Sequence, residues 1–144
     1  MSDEPTNDVL ATLRAVNATA QFNGWCRIEV LNASPGQAEI AMPWRAEAGQ
    51  YAGFLHAGLL GALIDTACGF AAATMVGRVL ASHFSVNCLR PAVGERFVAR
   101  ARVIKAGKNQ VFTTCELFAD VGGAEKLVAT GQALLVPVTV AGGA

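Results

Sequence analysis

The spacing of hydrophobic and polar positions changes character several times along this chain. Over residues 8–20, Val9, Leu10, Leu13 and Val16 recur at helical intervals beside Asp8 and Asn17, which predicts a short amphipathic helix. Two strand-like runs follow, Cys26–Asn32 and Gln37–Trp44, joined by Ala33-Ser34-Pro35-Gly36, where Pro-Gly signals a turn. Arg45 to Leu55 shows little periodicity and reads as a loop.

Gly58 to Val76 is too long for a strand and rich in Ala and Leu, so it reads as a helix. At about 100° per residue its faces separate by size rather than polarity. Leu59, Leu60, Leu63, Ala67, Phe70 and Thr74 fall on one side, and Gly61, Asp65, Cys68, Gly69, Ala72 and Val76 form a narrow stripe on the other. A helix apolar all round is buried all round. The large face is expected to lie on a sheet, and the small stripe to admit another backbone, with Asp65 in that seam.

Alternation then returns. In Val79–Leu89, Leu80, Phe84, Val86 and Cys88 share a face apart from Ser82, while His83, Ser85 and Asn87 take the other. Pro91-Ala92-Val93-Gly94 breaks the run. Arg96–Lys105, Gln110–Ala119 and Lys126–Val138 are three further strands, separated by turns at Ala106-Gly107-Lys108-Asn109 and Asp120-Val121-Gly122-Gly123. Two strands, a long helix and four meandering strands describe an α+β antiparallel sheet carrying one helix. Residues 1–144 read as one domain, with a helical extension at 1–22 and a frayed tail at 139–144.

Composition narrows the function. Eleven basic and eleven acidic residues cancel, which argues against a nucleic-acid partner, where a basic stripe supplies affinity. Charged residues are only 15% of 144, so part of the surface is expected to be hidden in an oligomer. Cys26, Cys68, Cys88 and Cys115 are widely spaced, and two histidines make a zinc site a poor fit, so no metal is expected. The polar stretch Met1–Asn7 does not read as a signal peptide, which points to the cytoplasm. The apolar stretch from Tyr51 to Gly77 contains Asp65, whose insertion at the centre of a spanning helix costs about 2.5–3.5 kcal/mol. Together with its five glycines this argues for a buried helix rather than a membrane span.

Two residues stand out as candidate chemistry. Asp65 sits mid-helix among apolar neighbours, where burial raises a carboxyl pKa and suits a general base or nucleophile. A structural pairing at the helix surface is the competing reading. His56 immediately precedes the helix beside Gly53, Ala57 and Gly58. There it either caps the helix or flanks unpaired amides that hold a developing oxyanion. Nine residues separate His56 from Asp65, about 13.5 Å along an ideal helix and half a turn around it. One chain therefore does not bring both to one small substrate; two chains meeting antiparallel along the seam would.

The run Gly53-Phe54-Leu55-His56-Ala57-Gly58, followed by Leu63-Ile64-Asp65-Thr66-Ala67, resembles the helix motif of hotdog-fold acyl-CoA thioesterases. It is most similar to the phenylacetic-acid-degradation (PaaI-like) group, whose motif reads H-G-G before L-x-D-x-A. Asn87-Cys88-Leu89-Arg90-Pro91-Ala92 is similar to that family's N-[FY]-L-R-P-A strand end, and the resemblance covers roughly residues 24–138.

The resemblance implies a sheet wrapped round a central helix, in homodimers or homotetramers with shared active sites. It also implies an acyl-CoA substrate, polarised by the Ala57 amide beside His56 and attacked with the help of Asp65 from another subunit. No cofactor is implied beyond the coenzyme A of the substrate. Gln50 stands where the family's loop Asn helps hold the carbonyl. Ala57 adds a methyl to the first motif glycine, and Gly58 keeps the second. Ala81 stands where relatives carry Ser or Thr to steady the water, and the adjacent Ser82 is expected on the opposite face. Arg90, Lys105 and Lys108 are candidate partners for the coenzyme A phosphates, against the plainer reading as ordinary surface charges. A non-catalytic acyl-CoA-binding module and a hotdog dehydratase are the alternatives.

Overall fold

The computed structural model describes residues 4–139. Apart from Thr139, the expected frayed tail lies outside the described residues. Helix α1 runs Glu4–Thr19, longer at its start than the periodicity suggests, and is followed directly by the short α2, Gln21–Cys26. Arg27 then adopts the left-handed conformation (φ 58°, ψ 39°) and its N–H returns to Asn23 and Gly24 carbonyls, closing the helix. Strand β1 therefore starts at Glu29 rather than Cys26 and ends at Ser34; β2 spans Gln37–Pro43. The two join through Pro35-Gly36, with Gly36 at φ +80°. Trp44 lies beyond β2, its N–H donating to Glu95 O at 2.9 Å.

After a 3₁₀ turn at Ala46–Ala48 comes α3, Ala57–Val76, and then β3 Val79–Cys88, β4 Arg96–Ala106, β5 Val111–Val121 and β6 Ala124–Pro137. All strand pairs are antiparallel, in the order β1-β2-β4-β5-β6-β3. The four later strands do not form one simple meander. Only β4, β5 and β6 follow one another; β3 pairs with β6 at the far edge, and residues 89–95 carry the chain across to β4 beside β2. Strands β2 to β6 all pack against α3, the hotdog arrangement that the resemblance implies. Among the described residues α3 is the helix long and apolar enough to cross a membrane, and here it fills the concave side of the sheet.

Close approach fixes how α3 sits. A Cβ on Gly131 of β6 would lie 2.7 Å from Ile64 Cγ2 and 2.6 Å from Ser85 O, so only glycine admits the helix there. Leu60, Gly61, Leu63, Ile64, Ala67, Cys68, Ala71 and Ala72 are buried, while Leu59, Ala62, Asp65, Thr66, Gly69, Phe70 and Ala73 are half-buried. The size-based division of faces is thus corrected. Gly61, Cys68 and Ala72 turn inward: Gly61 lies under Phe84 and Val86, and Cys68 meets Cys115 and Thr113 of β5. Phe70 and Leu59 leave the deep core. What decides is what each strand sets opposite the helix: Phe84 over Gly61, and Cys115 and Thr113 beside Cys68.

Strand β3 carries a bulge between Ala81 and His83. Ala81 pairs with buried Leu135 and Phe84 with buried Ala133, so both face the helix, whereas Leu80 pairs with Val136 on the outer side. The extra residue, Ser82, breaks the alternation that placed Leu80 and Phe84 on one face.

Candidate active site

The N-terminus of α3 is held by its approach loop. Leu55 N–H donates to Ala92 O and His56 N–H to Ala48 O, both at 3.0 Å. His56 is the N-cap: its Nδ1 accepts Gly58 N–H at 2.8 Å, and its carbonyl accepts from Leu59 and Leu60. The histidine thus takes the capping role, with the ring proton on Nε2. Among the described residues no acceptor takes the Ala57 N–H. This first-turn amide, at the positive end of a 20-residue helix, is free to bind an incoming oxygen.

Gln50 lies beside it. Its Oε1 accepts the Ala52 N–H, its backbone closes the turn with Phe54 O and Gly53 N–H, and Gly53 supplies φ +85° there. The Gln50 side-chain NH₂ remains as a donor. Gln50, His56, Ala57, Leu60, Leu89 and Arg90 line one cavity of about 500 Å³. Gly58 is exposed at the same helix end.

Asp65 occupies a different cavity of about 570 Å³, beside Thr66, Gly69, Phe70 and Ala81. Burial pushes its carboxyl pKa up, and no cation or donor opposes that. The two cavities share no lining residue. One chain thus holds an amide donor, Ala57 N–H, and a raised carboxylate eight residues further along the same helix, about 12 Å apart.

The remaining expected residues divide. Ser82 is exposed at the bulge, with its Oγ donating to Leu134 O at 3.3 Å, and does not line the Asp65 cavity. Arg90 lines the amide cavity and also a neighbouring groove of about 390 Å³ that contains Lys126. Arg90 N–H donates to Val128 O, whereas Lys105 pairs with Phe112 and thereby lies near Leu134. Val128 and Leu134 are six residues apart on β6, about 20 Å. Lys105 and Lys108 therefore stand at the opposite sheet end from Arg90, and neither lines the Asp65 or the amide cavity. Sequence reasoning missed Thr66 and Lys126. Thr66 was detectable as the hydroxyl adjoining Asp65, while one lysine in an alternating strand carries no signal.

Comparison with known proteins agrees with this fold. The family model described as "Thioesterase superfamily" matches residues 52–126. A solved thioesterase family protein from Silicibacter pomeroyi is 34% identical, with 89% of this chain and 96% of that one covered at a TM-score of 0.85. Zebrafish thioesterase superfamily member 2 is 26% identical over 92% and 98% of the two chains, at 0.77. The E. coli PaaI protein from the phenylacetic acid degradation operon is 20% identical over 93% and 96%, at 0.83, a likeness of fold.

Proposed function

The chain belongs to the thioesterase superfamily, and on that premise we propose that it hydrolyses acyl-CoA thioesters in composite sites between two copies of itself. The observation that carries this reading is the division of labour on α3. A free first-turn amide and a desolvated carboxylate lie in separate cavities about 12 Å apart along the helix, so each half-site lacks what the other holds.

In the proposed reaction, Ala57 N–H binds the thioester carbonyl oxygen, helped by the Gln50 side-chain NH₂. Asp65 of the other copy takes a proton from water as the water oxygen attacks the carbonyl carbon. The negative charge that develops on the former carbonyl oxygen is then held by the amide. Collapse breaks the carbon–sulfur bond, and the proton on Asp65 passes to the departing coenzyme A thiolate. Thr66, beside Asp65, supplies a hydroxyl to steady the water in place of one at Ala81. Edge strand β3, with Leu80 65% and Phe84 45% exposed, offers the pairing surface for the second copy. Arg90 and Lys126 are the phosphate partners in this reading.

The test is release of free thiol from a panel of acyl-CoAs by the parent protein and by Asp65→Asn. Turnover by the parent that Asp65→Asn loses supports hydrolysis through this carboxylate. Tight acyl-CoA binding without any turnover would make the protein a binding module.

A further inference from the structure

We propose that Gly69 and α1 build a chamber for the acyl tail, so that the protein favours thioesters of extended apolar acyl groups. This rests on the hydrolytic reading above. Gly69 is one turn after Asp65 on the same helix face, about 6 Å along the axis. A glycine in a helix interior costs about 1 kcal/mol relative to alanine, so a packing or functional reason is expected. Gly61 has a packing reason: its Cβ would come within 3.1 Å of Phe84. Within one chain Gly69 has none, because a Cβ there would meet nothing within 4 Å. The space it leaves belongs to the Asp65 cavity.

That cavity continues past Gly69 to Ala73 and Gly77. Asp65 to Ala73 is eight residues, about 12 Å of helix. Leu13 and Val16 of α1 form the facing wall, with Phe70, Val79 and Leu135 completing it. Two of the polar groups at the rim are already engaged, Thr19 Oγ1 donating to Val16 O at 2.7 Å and Asn23 Nδ2 to Asn17 Oδ1 at 2.9 Å, while Thr12 and Arg78 also stand along the lining. The stretch walled by Leu13, Val16, Phe70, Val79 and Leu135 favours hydrocarbon. The N-terminal helix is thereby a specificity element rather than a mere extension.

Three proteins decide the matter: the parent, Gly69→Leu, which fills the chamber from α3, and Val16→Phe, which fills it from α1. Each is given saturated acyl-CoAs from butyryl to dodecanoyl, with thiol release measured, and binding of the matching free fatty acids is measured by calorimetry. The kcat/KM ratio of dodecanoyl to butyryl substrate is expected to fall about tenfold or more in both variants. Dodecanoate binding should weaken in parallel. Gly69→Ala stands in if Gly69→Leu does not fold, with a smaller shift in the same direction. An unchanged length profile in the folded variants overturns the chamber. If the parent releases no thiol but binds dodecanoate in a Gly69-dependent way, the hydrolytic reading fails and the chamber stands. Fatty-acid binding indifferent to length and to both substitutions removes the chamber whatever the turnover.

Discussion

His56 Nδ1 accepts the Gly58 N–H at 2.8 Å, and this one bond decides what the histidine does. A ring nitrogen engaged as a helix cap is not available as a proton shuttle at the same moment. It instead fixes the first turn so that the adjacent Ala57 N–H points outward without a partner among the described residues. The geometry that occupies this ring nitrogen also presents the amide.

If capping is its role, His56 is replaceable by another good cap. His56→Ala should lose about 0.5–2 kcal/mol of stability and much of the turnover, whereas His56→Asn should recover most of both. Thermal melts and kcat on one acyl-CoA check this. An inactive but fully stable His56→Asn would assign the imidazole a chemical role.

At Ala57 the backbone matters and the methyl does not. Proline is tolerated in the first turn of a helix but removes the N–H. Ala57→Pro should therefore fold and lose about 2.7–4 kcal/mol of transition-state stabilisation, roughly a hundredfold or more in rate. Ala57→Gly should retain turnover. Comparable rates for the two variants would place the oxyanion elsewhere.

Asp65 yields a linked prediction about pH. Its carboxyl is pushed above the ordinary 3.8 by burial, so the folded protein keeps a proton that the unfolded chain has released. Stability contributed by this group is therefore lost as pH rises from the ordinary value through the raised one. At neutral pH, Asp65→Asn should melt at the same or a higher temperature than the parent, with the difference closing below about pH 4. Its turnover should fall by about a hundredfold or more, and the acid limb of the parent's kcat profile should lie above that of an ordinary carboxylate. A markedly less stable Asn variant at neutral pH would mean that the carboxylate has a structural partner.

Arg90 and Lys126 share one groove next to the amide cavity, while Lys108 stands at the other end of the sheet. Losing a charge-assisted contact to phosphate costs about 1.5–3 kcal/mol when it is made in ground and transition state alike. Arg90→Gln and Lys126→Gln should each raise KM for acyl-CoA by about tenfold with kcat little changed. For a short N-acylcysteamine thioester, which has no phosphates, neither should matter. Equal effects on both substrates would remove the phosphate role.

Much of this was legible from pattern. Helix α3 declared itself by length and composition, and three of the turns by Pro-Gly, Gly-Lys-Asn and Gly-Gly. The half-turn between His56 and Asp65 followed from spacing alone, and the two residues line different cavities. Other features depend on contacts that no local pattern carries. The end of α2 rests on Arg27 at positive φ, a conformation an arginine does not advertise. The bulge at Ser82 turns Leu80 away from the helix while Phe84 still meets it, and sequence alternation has no marker for an inserted residue. The inward turn of Gly61 and Cys68 reflects what lies opposite them, Phe84 and Cys115, on strands far along the chain. Arg90 could be placed from its motif, but its companion Lys126 emerges only because Leu89 and Arg90 continue from β3 alongside β6.

The central claim is that each site takes its amide from one chain and its carboxylate from another. Folded Asp65→Asn and Ala57→Pro proteins, each nearly inactive alone, are mixed under conditions where subunit exchange is independently confirmed, and acyl-CoA hydrolysis is measured. In a two-fold dimer every mixed pair regains one site with an intact amide and an intact carboxylate, so random exchange should restore about a quarter of parental activity. Confirmed mixed dimers that remain as inactive as the two variants alone would contradict the shared site.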